Sequence, residues 1–246
     1  MNLRLAFRLA RILVHLLEGL ATCALVFPWV GAGRRNARIQ NWSRRLLRIC
    51  GVAVAPPSGV PALRHALIVA NHVSWLDIFV INSIHPCRFV AKQEIREWPV
   101  LGWLTAQAGT VFISRGSRRE LRHVFKGIVA ALQMDARVAF FPEGTTAPQG
   151  TVLPFHANLF EAAVDARVKV QPYALRYVAA DGTPHPAVDF TGDTTFAQSV
   201  MAILSSSAIR AELTCLAPID AADANRRELA SRAHDAVSDA LTRDAA

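Results

Sequence analysis

From residue 60 onward, short apolar runs alternate with longer stretches whose apolar positions recur every three or four residues. The runs Ala66–Ala70, Arg88–Ala91, Val111–Ile113, Val138–Phe141, Val168–Leu175 and Ile209–Leu216 are bounded by turn formers and predict strands. Ser74–Ile84, Ser117–Met134, Asn158–Ala166 and Ala221–Thr242 carry the helical period, the last as an amphipathic helix packed on a sheet. Strand–helix alternation predicts an α/β fold, with a mostly parallel central sheet flanked by helices. Functional groups in such sheets gather where strands end at their carboxyl termini. No internal repeat and no long linker interrupts the series.

The first fifty residues follow another pattern. Segment 9–31, LARILVHLLEGLATCALVFPWVG, is apolar but broken by His15 and Glu18. The unbroken part, Gly19 to Gly31, falls short of the roughly 20 residues that cross a bilayer. After a break at Gly31-Ala32-Gly33, Arg34 to Ile49 alternates arginines with Trp42, Leu46, Leu47 and Ile49, an amphipathic pattern. The expectation is that residues 1–50 form membrane-associating helices and 51–246 the α/β domain. An anchor lying in or dipping into the membrane is preferred; a single span and a secretory signal are the competing readings.

Charge sharpens this picture. The chain has 246 residues, 52% of them hydrophobic, and a formal net charge of +8. Its mean hydropathy of +0.25 is high for a purely soluble enzyme. Residues 1–50 hold nine arginines and one acid, Glu18, so the whole excess lies there and the remainder is neutral. A uniformly basic nucleic-acid binder would spread its charge, and no recognition motif accompanies the basic arm. An anionic membrane surface suits it better, each basic group near the headgroups contributing about 1 kcal/mol. The four cysteines are scattered, without metal-ligand spacing, and read as small buried residues in a reducing compartment.

Three strand ends carry unusual polar residues. NHVSWLD (71–77) follows the strand ALIVA. Ser74 and Asp77 are spaced as a helix-capping box. His72 and Asp77 are alternatively a histidine held by a carboxylate. Residues five apart on a helix point about 140° from each other, so that pairing needs His72 in the turn before the helix. VFISRG (111–116) places Arg115 after a strand, ahead of Arg118, Arg119, Arg122 and Lys126, which read as solvent-facing. FFPEGTTAPQG (140–150) runs a buried-looking strand into a Pro-Glu-Gly turn.

Taken in order, NHxxxxD, FxxR and FPEGT resemble the motif series of the glycerolipid acyltransferases, and the chain is similar to the family's bacterial 1-acylglycerol-3-phosphate acyltransferases. KQEIREWPVLGWL (92–104) and VQPYAL (170–175) extend the resemblance, which runs from about Leu67 to Leu175. It implies transfer of a fatty acyl group from an acyl thioester to a lysolipid hydroxyl, giving phosphatidic acid. The co-substrate would be acyl-CoA or an acylated carrier protein, with no further cofactor, metal or nucleic acid. It implies His72 as general base and Asp77 as the carboxylate that holds it. Arg115 would bind the acceptor's phosphate, Glu143, Gly144 and Thr145 would form the glycerol-binding turn, and Lys92 would line the same pocket. The place of work would be the cytoplasmic face of the inner membrane.

The chemistry suits these residue types. An alcohol is a poor nucleophile, and an imidazole can take its proton at neutral pH. A guanidinium fork matches a phosphate. There is no G-x-S-x-G elbow and no P-loop. Backbone amides at the start of the helix after Ser74 are candidates for steadying the oxyanion. Two positions depart from the family pattern: Thr146-Ala147 follows FPEGT where Arg-Ser is common, and Phe155-His156-Ala157-Asn158 replaces a frequent Phe-Lys-x-Gly. Two cations are thereby lost, which keeps open a lyso-ornithine lipid as acceptor. A membrane lipid-binding module without catalysis is the reading from another class. Trp98 and Trp103 suit an acyl tunnel, core packing or interfacial anchoring alike.

Overall fold

The computed structural model describes residues 3–113, 118–134, 136–222 and 224–243, with the backbone alone for 118–124. Two helices lead, α1 (Leu3–Leu25) and α2 (Ala32–Cys50), followed by the short strands β1 (Val52–Val54) and β2 (Ser58–Gly59). Next come β3 (Ala66–Ala70), α3 (Leu76–Ile84), β4 (Arg88–Lys92), α4 (Gln93–Arg96), α5 (Leu101–Gln107) and β5 (Val111–Ile113). The rest is α6 (Arg118–Gln133), β6 (Arg137–Phe140), α7 (Glu161–Ala166), β7 (Val170–Val178), α8 (Phe196–Ser205), β8 (Ile209–Cys215) and α9 (Arg226–Arg243).

The strands form one sheet in the order β1-β8-β7-β3-β6-β4-β5, with β2 also paired to β8. Only β7 and β8 pair antiparallel. At its centre, β3 lies parallel to β6 and β7, Val69 standing opposite both Phe140 and Pro172. All five residues of β3 are buried, and their alternation divides the core. Ala66, Ile68 and Ala70 join the cluster that includes Leu46 and Leu47 of α2, Leu76 and Val80 of α3, and Ile203 of α8. Leu67 and Val69 join Ile128 and Leu132 of α6, Ala163 of α7, and Leu229 and Ala233 of α9. Burial on both faces explains why ALIVA is an unbroken apolar run.

The predicted strands are present to within a few residues, β7 continuing to Val178. The elements β1, β2, α4, α5 and α8 are additions. For α8 a signal existed: Thr195 and Gln198 form a complete capping box.

Segment Leu3–Trp29 is long and apolar enough to cross a membrane, with 17% of its most apolar window buried. Two of its polar groups, Arg8 and His15, nevertheless face inward, while Arg4, Arg11 and Glu18 are exposed. Arg8 Nη1 donates to the carbonyls of Leu204 (2.7 Å) and Ser206 (2.9 Å), satisfying the C-terminal end of α8. His15 stacks on Trp42 with ring centroids 4.5 Å apart, and Trp42 Nε1 donates back to the His15 carbonyl. Gly19 permits this approach, since a Cβ there would lie 2.8 Å from Trp42 Nε1. From α2, Gln40 and Arg44 donate to the carbonyls of Ile84 and Ser83 at the end of α3. Arg8, Arg35, Arg44 and Arg45 thus bond protein groups, so the basic excess is not wholly turned to the outside. The outward side of α1 presents Leu3, Phe7, Leu13, Val14, Leu17 and Leu25. Leu5, Leu46, Leu47 and Cys50 share the core of β3, which ties residues 1–50 to the sheet. All four cysteines are buried and free.

Candidate active site

Where β3 ends, Asn71 continues its pairing with a side chain. Nδ2 donates to the Leu175 carbonyl (2.9 Å) and Oδ1 accepts from the Leu175 N–H (2.8 Å). The chain therefore leaves the sheet at His72, in the turn before α3, where the carboxylate pairing requires it. The β3–β6 register sets Phe141 beside this turn, and the two rings stack with centroids 4.0 Å apart and planes 7° from parallel.

His72 Nδ1 donates to Asp77 Oδ2 at 2.8 Å. An ionised carboxylate only accepts, so the neutral ring carries its proton on Nδ1 and keeps a lone pair on Nε2. No described residue hydrogen-bonds Nε2. The His72 side chain is 19% exposed and that of Asp77 is fully buried, so solvent meets the imidazole and not the acid. Oδ2 of Asp77 also accepts from the N–H groups of Val73 (2.7 Å) and Ser74 (2.9 Å), and Oδ1 accepts from the Tyr177 hydroxyl (2.6 Å).

The capping reading is therefore half realised. Asp77 reaches back to the Ser74 amide, but Ser74 Oγ accepts from Leu76 at 3.4 Å and not from the Asp77 N–H. That N–H bonds the Ser74 carbonyl instead. Of the first amides considered for an oxyanion, those of Val73, Ser74 and Asp77 are engaged within the turn, and that of Leu76 makes the long contact to Ser74 Oγ.

The turn after β6 braces His72 from the other side. It is closed by the Gly144 N–H donating to the Phe141 carbonyl (3.1 Å). Gly144 adopts φ +70°, a left-handed conformation that favours glycine, with the His156 ring 3.4 Å from where a Cβ would stand. Glu143 is buried; Oε1 accepts from the His72 N–H (2.7 Å) and Oε2 from the Leu153 N–H (2.8 Å). Burial raises its pKa, and the two backbone donors oppose that rise. Both oxygens of Glu143 thus brace the turn, Oε1 through His72 and Oε2 through Leu153. The Ala147 N–H donates to the His72 carbonyl (2.8 Å), so FPEGTTA holds both backbone groups of the histidine. Thr146 Oγ1 bonds the Phe190 carbonyl, while Thr145 is exposed.

Lys92 is exposed at the end of β4, opposite Ile113 of β5, and no hydrogen bond or ion pair ties it to the His72 cluster among the described residues. Arg115 lies outside the described residues. The strands β4 and β5 run parallel to β3 through β6, so their carboxyl ends lie at the same end of the sheet as His72.

Tyr177, Asn71 and Phe141 were not singled out by the sequence reading. Asn71 and Phe141 open the NHxxxxD and FPEGT motifs without a role of their own being read there; Tyr177 lies a hundred residues from Asp77, and only the fold joins them. A cavity of about 400 Å³ opens between α1, α2, α3 and α5, lined by Gly19, Cys23, Trp42, Phe79, Phe89 and Leu104 among others. The Phe89 ring lies 5.9 Å from that of Phe141, which backs His72. Among the described residues, no His, Cys, Asp or Glu groups are placed to hold a metal ion.

Fold and site together define a class: an α/β protein with a carboxylate-held histidine where its parallel strands end. The chain belongs to the acyltransferase family, whose model, described as Acyltransferase, matches residues 51–176. It is 39% identical over 198 residues to the 1-acyl-sn-glycerol-3-phosphate acyltransferase of Neisseria meningitidis serogroup B, a match covering 78% of this chain and 76% of that one. It is 35% identical over 249 residues to the lyso-ornithine lipid O-acyltransferase of Pseudomonas aeruginosa, covering 98% and 94%. The crystal structure of the 1-acyl-sn-glycerophosphate (LPA) acyltransferase from Thermotoga maritima has the same fold, with a TM-score of 0.65 at 23% identity over 97% of this chain and 98% of that one.

Proposed function

We propose that this protein transfers a fatty acyl group from an acyl thioester to the free hydroxyl of 1-acylglycerol-3-phosphate, giving phosphatidic acid. The carrying observation is the imidazole of His72, fixed by Asp77 at 2.8 Å through Nδ1, with Nε2 bonded to no described residue. As the acceptor's oxygen attacks the thioester carbonyl, its proton passes to Nε2 and a C–O bond forms. The tetrahedral intermediate expels the thiolate as the C–S bond breaks, and the proton on Nε2 passes to that sulfur. Asp77 stabilises the imidazolium between the two steps. No protein nucleophile is needed, because the thioester is already activated.

The other parts follow from position. The cavity beside Phe89 is apolar enough for the acyl chain. Arg115 would meet the acceptor's phosphate, Lys92 would line the same pocket, and the turn of Glu143, Gly144 and Thr145 would take its glycerol. Membrane contact falls to the outward face of α1. Because Arg8 and the His15–Trp42 stack bind the inward side of this helix to α8 and α2, it lies along one leaflet rather than crossing the bilayer. The leaflet is the cytoplasmic one of the inner membrane, since acyl-CoA and acylated carrier protein are made on that side.

A second reading concerns only the acceptor. The Pseudomonas relative aligns along nearly the whole chain, and Thr146 and His156 stand where two family cations are common. A lyso-ornithine lipid, whose headgroup lacks phosphate, fits both facts. Acyl transfer to the two lysolipids, measured in parallel from acyl-CoA and acylated carrier protein, separates the readings. His72→Ala is expected to lower either activity about 10²- to 10⁴-fold. Wild-type protein that bound lysolipid but turned over with neither donor would defeat the enzymatic reading.

A further inference from the structure

Asp77 accepts four hydrogen bonds, and three of the donors have evident reasons to be there. His72 is the base, and the amides of Val73 and Ser74 belong to the turn that carries it. The fourth comes from a distant strand. Tyr177 stands in β7, fully buried, and its hydroxyl lies 2.6 Å from Oδ1, within the range of charge-assisted O–H···O⁻ bonds.

We infer that Tyr177 is a positioning residue for the proposed reaction: it clamps Asp77 through the oxygen His72 does not use, and so sets how strongly that carboxylate holds the imidazole's proton. Its own placement is fixed at both ends. The Tyr177 N–H donates to Gln149 Oε1 (2.8 Å), its carbonyl accepts from the His185 N–H (2.9 Å), and its ring is packed in the core. Burial, and after it the negative charge of Asp77, push the phenol's pKa well above its ordinary value, so the group remains a donor throughout the working pH range. A hydroxyl that cannot ionise, on a ring that cannot move, fixes the charge it points at. Without it, Oδ1 would be buried with no partner, and the negative charge would concentrate on the oxygen facing His72.

A packing tyrosine would need only some acceptor for its hydroxyl, whereas a tuning tyrosine makes a signed prediction. In Tyr177→Phe the carboxylate holds the imidazolium more tightly. The acid limb of the pH–rate profile then moves up by about one pH unit, with the KM for lysolipid little changed. A more acidic phenol donates more strongly and should move the limb down. The chain contains two tyrosines, Tyr173 and Tyr177, so fluorotyrosine incorporated into Tyr173→Phe protein alters only the second. Other ionisable groups border this centre: Glu143 on the backbone of His72, and His156 beside Gly144. Both are unchanged in the two proteins and cannot produce shifts of opposite sign.

The inference rests on the proposed base. Nitrogen NMR of the His72 ring, assigned through His72→Gln, follows the same titration without turnover, so a missing activity and a missing coupling give different results. The expected outcome is an upward shift for Tyr177→Phe and a downward one for the fluorotyrosine protein. Shifts in one direction for both, or none in either, would overturn it. If Tyr177→Phe does not fold, the fluorotyrosine protein decides alone: a downward shift supports the clamp and an unmoved midpoint refutes it.

Discussion

The strand-end cluster around His72 and the paired N-terminal helices both bury polar side chains, but to different ends. Around His72 the bonds converge: Asp77, Glu143, Asn71 and Ala147 all act on one short turn, and through it on one ring. In the helices they are dispersed. Arg8 serves the end of α8, Arg44 the end of α3, and His15 the ring and backbone of Trp42. Convergence aims one group at a substrate; dispersal fastens a lipid-facing helix sideways onto a folded body. Losing a bond from the first region should therefore cost activity, and losing one from the second should cost stability.

The sharpest break is Asp77→Asn. The amide oxygen can still accept from the Val73 and Ser74 N–H groups, so the fold should persist, while the charge that steadies the imidazolium is gone. Acyl transfer is expected to fall about 10³- to 10⁴-fold, with a melting temperature near that of the wild type. Steady-state assays beside thermal melts check this. A large loss of stability with little loss of rate would erase the contrast.

Arg8→Met should show the converse. The carbonyls of Leu204 and Ser206 lose a charged donor, and unfolding in denaturant should report a loss of about 1–3 kcal/mol. The rate constant in detergent should be nearly unchanged.

The smallest effect lies at the seam, where His85 follows the end of α3 that Gln40 and Arg44 satisfy. Burial, helped by the charge of Arg137, lowers the pKa of His85 from 6.5 to about 4. The unfolded chain therefore binds a proton in a range where the folded chain does not. This contribution is complete above about pH 6.5 and fades as pH falls toward 4. After discount for partial exposure, about 1 kcal/mol should vanish between pH 7 and pH 5. Melts of wild type and His85→Gln at the two pH values should differ in slope.

Much of the contrast was legible beforehand. ALIVA announced a doubly buried strand, and the motifs placed His72, Asp77 and the FPEGT turn at the ends of strands. The lateral bonds were not legible. Tyr177 meets Asp77 only because β7 runs beside β3, and nothing in a single strand's pattern names its neighbour. The bracing task of Glu143 depends likewise on the β3–β6 register. In the helices, arginine counts suggested a surface charge, but whether a given guanidinium turns in or out follows from packing that spacing does not encode. The helix α8 is a different case: its capping box was there to be read.

The seating of α1 bears on how this protein can be handled. Clipping the first twenty-five residues, the usual recipe for a water-soluble fragment, would strip the partner from Trp42, vacate the place of Leu5 and leave the carbonyls ending α8 bare. A gentler route recolours the outer stripe alone, exchanging Phe7, Leu13, Val14 and Leu17 for polar residues while the inward side stays intact.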